Sequence, residues 1–134
     1  MSQENTEIVQ QVFAAWNGED FERWLSCWDP QCVWMPGMRG QMEGTQTYRG
    51  HDGLRTYWEE DAAVWHRFLV EVHELRHNGV EVVAITTGTA RGRHSHLEVS
   101  QRMAFRFRVR NRKIVHGQSY LDVNEALEAV GLSE

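Results

Sequence analysis

Asp61 is the carboxylate whose neighbours best suit it to chemistry. Leu54, Trp58, Asp61 and Trp65 follow i, i+4, i+7, i+11, the spacing of one helix face. A carboxylate desolvated among tryptophans has its pKa raised, which suits a general acid or base. The plainer alternative is that Asp61 sits at the edge of the stripe and pairs with an arginine. His94-Ser95-His96 places two imidazoles on one side of a strand, the start of a metal pair. No carboxylate or cysteine at ligand spacing accompanies them, so no metal is expected. His73 and His77 are four apart but fall on a strand and its turn, where that spacing does not bring them together. His116, Tyr120 and Asp122 form an acid–base set only if they share a face.

These groups need elements to position them. Ile8, Val9, Val12, Phe13 and Trp16 predict an amphipathic helix over 5–17, ended by Asn17-Gly18. Asp20 is a candidate N-cap for a second helix with the stripe Phe21, Trp24, Leu25 and Trp28, stopped by Asp29-Pro30. CVWM (32–35) reads as a short strand, 36–47 as a glycine-rich loop, TYRG as another short strand, and 52–65 as a third helix. From Phe68 onward the pattern is four strands joined by hairpins, the first turning at Asn78-Gly79. A short helix closes the chain, with Asp122 and Glu125 at capping-box spacing. Consecutive antiparallel strands with separate helices make an α+β domain, and helices over a curved sheet enclose an apolar pocket.

AAWNGEDFERWL, YRGHDGLRTYW, FRVRNRKIV and SYLDVNEALEAVGL resemble the SnoaL-like polyketide-cyclase family of the NTF2-like superfamily. The resemblance spans almost the whole chain. It implies one domain over 1–134: a cone-shaped curved antiparallel sheet with three helices over the pocket, and a homodimer through the outer sheet face. It implies no single activity, because this fold hosts many. The acid–base groups of ketosteroid isomerase-like members fall on Val12, Met35 and Met103 or Phe105. The carboxylates and arginine of epoxide hydrolase-like members fall near Ser119, Thr89 and Thr87. None of those charged groups is present.

The pocket is therefore expected to be lined by Trp34, Met35, Trp58, Thr87, Thr89, Met103, Phe105, Ser119 and Leu121, with Asp61 as the candidate catalytic group. Those walls suit a flat hydrophobic ligand. Two functions compete: a cofactor-independent cyclase, isomerase or dehydratase, and a binding module without chemistry. The turn near Asn111 sets which face of the last strand meets the ligand, since one residue of slip exchanges the faces. A two-residue turn brings His116 and Tyr120 inside; a three-residue turn puts Gly117, Ser119 and Leu121 inside and His116 and Tyr120 outside. The resemblance implies the second, because the last-strand carboxylate of epoxide hydrolase-like members falls on Ser119.

Of the 134 residues, 91–113 hold eight basic side chains and one acid, Glu98, in a chain of net charge −5. A basic strip invites a nucleic-acid reading. However, Arg102, Arg106, Arg108 and Arg110 alternate with Met103, Phe105 and Phe107, so cations and aromatics occupy opposite faces. A single-strand binder needs them together, so no nucleic-acid partner is expected. No apolar run suits a membrane span. The polar N-terminus does not resemble a secretory signal, and two isolated cysteines suggest reduced thiols in the cytoplasm.

Overall fold

The computed structural model describes residues 2–37 and 46–133. Its helices are α1 (Ser2–Asn17), α2 (Phe21–Ser26), α3 (Gly50–Val64) and α4 (Val123–Ala129). Its strands are β1 (Trp28–Met35), β2 (Tyr48–Arg49), β3 (Trp65–Asn78), β4 (Glu81–Gly92), β5 (Glu98–Arg110) and β6 (Lys113–Tyr120). They form one sheet in the order β2-β1-β6-β5-β4-β3.

From β3 to β6 the sheet is an antiparallel meander, as the hairpin signals require. The wholly antiparallel expectation fails at one place: β1 enters beside β6 in parallel. Hairpin logic governs only consecutive strands. These two are separated by a helix and four strands, enough chain to return in either direction.

Local chemistry explains most boundaries. Asp20 caps α2 by accepting from Arg23 N–H at 3.2 Å, and Asp122 caps α4 by accepting from Asn124 N–H at 2.9 Å. The α2 stripe ends earlier than its spacing suggests, and Trp28 opens β1 instead. Pro30 is tolerated inside that strand because β2 pairs only with Val33 and Trp34, while the β6 pairing jumps from Trp28 to Val33.

The main core lies between the inner sheet face and α1, α2 and α3. It gathers Val9, Val12 and Phe13 with Trp24, Leu54, Val82, Ala84 and the β5 row Met103, Phe105 and Phe107. A second cluster forms on the other face, where α4 packs Val123, Ala126 and Leu127 onto Val83, Ile85 and Ala104. Among the described residues, no helix is long and apolar enough to cross a membrane.

The β5–β6 turn has two residues rather than three. Asn111 and Arg112 both take positive φ, 51° and 61°, and Arg110 faces Lys113. The slip comes one step later. Val109 pairs with Ile114 but Arg108 pairs with His116, leaving Val115 as the extra residue of a bulge. Phe107 then faces Gly117 and Phe105 faces Ser119, while His116 and Tyr120 stand opposite Arg108 and Ala104 on the outer face.

Candidate functional site: an aromatic cavity with unpaired donors

The inner face of β5 and β6 supplies one wall of a cavity of about 60 Å³, through Met103, Phe105, Phe107 and Ser119. Trp28 and Trp34 of β1 form a second wall, and Val12, Phe13 and Trp16 of α1 with Trp24 of α2 form the roof. The rings lock one another. Trp34 lies nearly parallel to Phe105, 7° between planes at 6.1 Å, and Phe13 meets Phe105 edge-on at 5.0 Å. Trp28 meets Phe107 edge-on at 5.9 Å. Gly117 makes room for it: a Cβ there would stand 2.7 Å from Trp28 Cη2.

Little in this lining is polar, and most of what is polar donates. Trp28 and Trp34 are 2% and 4% exposed, and neither Nε1 has a hydrogen-bond acceptor among the described residues. Leaving a buried N–H unmet costs about 1–3 kcal/mol. Ser119 Oγ accepts from Gly37 N–H at 2.6 Å, which leaves its own hydrogen free to donate. Among the described residues, no Asp, Glu, His, Lys or Arg lines this cavity.

Of the side chains expected at the pocket, Trp34, Met103, Phe105 and Ser119 line the cavity. Thr87 and Thr89 do not: they lie on the outer face, where Thr87 Oγ1 is bonded to His73 Nε2 at 2.7 Å. The inner position belongs to Thr86, which donates to Met103 O at 2.9 Å. The face is hard to assign from sequence because Val82, Val83, Ala84 and Ile85 are all buried, α4 covering one side and the main core the other. Met35 pairs with Gln118 and so shares the outer face, one residue out of step with Trp34. Leu121 lies in the bend after β6 and is not part of the cavity wall.

Asp61 and Trp58 line a different, larger cleft of about 270 Å³, together with Glu19, Trp65, His66, Arg67 and Arg93. This cleft mixes both signs of charge. Its arginines close helix ends: Arg93 donates to Ala62 O at 2.8 Å and to Trp65 O at 3.3 Å, and Arg67 donates to Asn17 O at 2.9 Å. Trp16 stands between the two spaces and lines both. Asp61 therefore borders charged groups rather than the aromatic cavity.

Several lining residues were missed from sequence, among them Tyr57 and, on β1, Trp28, which helical spacing assigns to the α2 stripe. A signal was present. Trp28, Cys32 and Trp34 are all buried and separated by even intervals, the mark of one strand face.

The outer face of the sheet carries the arginines. Glu81 accepts from Arg106 Nη2 at 3.2 Å and from Arg108 Nη2 at 2.9 Å, so one carboxylate is shared by two guanidiniums. His116 lies beside them, its pKa lowered first by burial and then by Arg106 and Arg108. His94 and His96 are exposed in the β4–β5 turn. Among the described residues, no group of three or more His, Cys, Asp or Glu could hold a metal ion.

Residues 9–117 match the SnoaL-like domain. No protein of curated function matches the sequence. Similar solved structures include an NTF2-like protein of Burkholderia pseudomallei, 16% identical with a TM-score of 0.80, covering 96% of this chain and 98% of that one. TerC, co-crystallised with polyporic acid, is 19% identical with a TM-score of 0.79 over 95% and 97% of the two chains. A protein of Catenulispora acidiphila with a ketosteroid isomerase-like fold, in complex with trimethylamine, is 18% identical with a TM-score of 0.76 over 94% and 93%. At these identities the likeness is one of fold.

Proposed function

We start from the finding that this chain belongs to the SnoaL-like domain family, and we propose that it binds a small hydrophobic molecule in the aromatic cavity without transforming it. The observation that carries this reading is the cavity wall: mostly aromatic and aliphatic and, among the described residues, without a carboxylate, imidazole or amine, so that the Tyr57 phenol and the Ser119 hydroxyl are its ionisable or exchangeable side chains. Cyclase or isomerase chemistry keeps the support of family resemblance. It also needs an acid or base at the ligand, and Asp61, the candidate for that role, lines the other cleft. The ligands of TerC and of the Catenulispora protein support small-molecule binding as a use of this fold.

Size narrows the ligand. A cavity of about 60 Å³ is well below the roughly 150 Å³ that accommodates benzene. A small molecule, or one end of a larger one, suits these walls better than a flat polycycle. The test is calorimetric titration with a panel of small alicyclic and aromatic compounds. Trp34→Ala should weaken binding at least tenfold, and Asp61→Asn should leave it unchanged. A ligand whose turnover is lost in Asp61→Asn would sink the binding-only reading.

We also propose a homodimer through the part of the outer face that α4 leaves open. Leu69 is 39% exposed there, and the opposite charges of Glu71 and Arg102 flank Thr87 across three strands, a pattern that a twofold axis can make self-complementary. Light scattering giving a monomer mass at all concentrations would reject it. The free, buried thiols of Cys27 and Cys32 support a cytoplasmic setting.

A further inference from the structure

We propose that the aromatic cavity seats an oxygen atom of its ligand, a carbonyl or an oxyanion, held by the indole N–H groups of Trp28 and Trp34 and by the hydroxyl of Ser119. This rests on the binding reading above and specifies the ligand's chemistry. Both indole nitrogens are buried and lack an acceptor among the described residues, and both rings line the same cavity, with centroids 5.7 Å apart. Ser119, 4% exposed, lines it too, and its oxygen is already engaged by Gly37 N–H.

An indole N–H can only donate. Three donors on side chains that line one apolar space call for an acceptor, and no described lining residue supplies a carboxylate. A ligand cation would be drawn to the ring faces, but an ammonium has no lone pair to give and would leave both N–H groups unmet. An oxygen satisfies them. The donors are also fixed in advance: Trp34 is stacked on Phe105, and Trp28 is wedged between Phe107 and the Cβ-less Gly117. Donors that need no reordering lose little on binding.

The test uses the whole chain with ¹⁵N-labelled tryptophan and two probes of one shape, acetone and isobutene, which differ by C=O against C=CH₂ and are smaller than benzene. Acetone should shift two of the six indole N–H signals downfield and bind about tenfold tighter than its isostere. Ser119→Ala should weaken acetone alone. Trp28→Phe and Trp34→Phe assign the two signals, and NOE contacts to Phe105 and Phe107 assign them in the wild type should either variant fail to fold. Equal affinity for the two probes with the same N–H response would overturn the oxygen seat and leave the binding reading intact. Tighter binding of methylammonium than of acetone would overturn it in favour of a cation. If neither acetone nor isobutene perturbs any cavity residue, the binding reading itself fails and this inference falls with it.

Discussion

Asn17 holds Val70 as a neighbouring strand would. Its Nδ2 donates to Val70 O at 2.8 Å, and its Oδ1 accepts from Val70 N–H at 2.9 Å. β3 is the last strand of the sheet, so among the described residues Val70 has no strand partner on that side, and the end of α1 supplies the missing pair. Trp16 adds a third stitch, donating from Nε1 to Phe68 O at 2.8 Å.

Asn17→Ala should therefore destabilise the protein by about 2–3 kcal/mol, two partly buried hydrogen bonds at roughly 1 kcal/mol each plus the cost of stranded backbone groups. Denaturant unfolding measures it, with the slope unchanged. A loss below about 0.5 kcal/mol would mean that water replaces the amide fully.

Gly117→Ala should disturb the cavity directly. The added methyl would meet Trp28 Cη2 at 2.7 Å and the Phe107 ring at 3.0 Å. Overpacking of this kind costs about 1–3 kcal/mol. Near-ultraviolet circular dichroism should change with it, because the displaced ring belongs to the tryptophan cluster. An unaltered spectrum would show that the cavity absorbs the methyl without moving Trp28.

His116 gives a pH dependence. Its pKa is lowered from the usual 6.5 by burial, and then by Arg106 and Arg108. The unfolded chain takes up this proton before the folded one does, so stability is full above about 6.5 and is lost as pH falls through the folded value. His116→Gln should flatten that slope. Glu81 raises this pKa, so Glu81→Gln should lower it further, as followed by NMR titration of the ring. An upward shift in Glu81→Gln would contradict the assignment.

The thiols should be inert. Burial pushes Cys32 up to about 11 and also raises Cys27, despite the opposing charges of Arg23 and Lys113. At pH 8 little thiolate forms at Cys32. Ellman's reagent should therefore report two thiols only after denaturation, and fast labelling of the native protein would refute this.

Helix and hairpin positions were legible because they rest on short-range chemistry: the Asp20 and Asp122 caps, and the turns after Asn78 and at Asn111-Arg112. Faces were legible where only one side of a strand is buried. Met103, Phe105 and Phe107 alternate with Arg102, Arg106 and Arg108, and that alternation separates the inner wall from the outer one. It fails on β4, where both sides are buried, and there Thr87 and Thr89 exchange places with Thr86 and Gly88. The slip at Val115 was inferable as an outcome but not as a cause, since a bulge and a longer turn shift the strand equally. The parallel pairing of β1 with β6 has no local signature.

That pairing sets a schedule. Gly37 reaches Ser119 across 82 positions of sequence, and a ribosome adding roughly 5–20 residues each second needs on the order of ten seconds to deliver the second after the first. Throughout that interval, the tryptophans of α1, α2 and β1 lack the strands that shelter them. The nascent chain is thus at its stickiest until β6 has emerged, and a chain cut short before β6 should aggregate rather than fold.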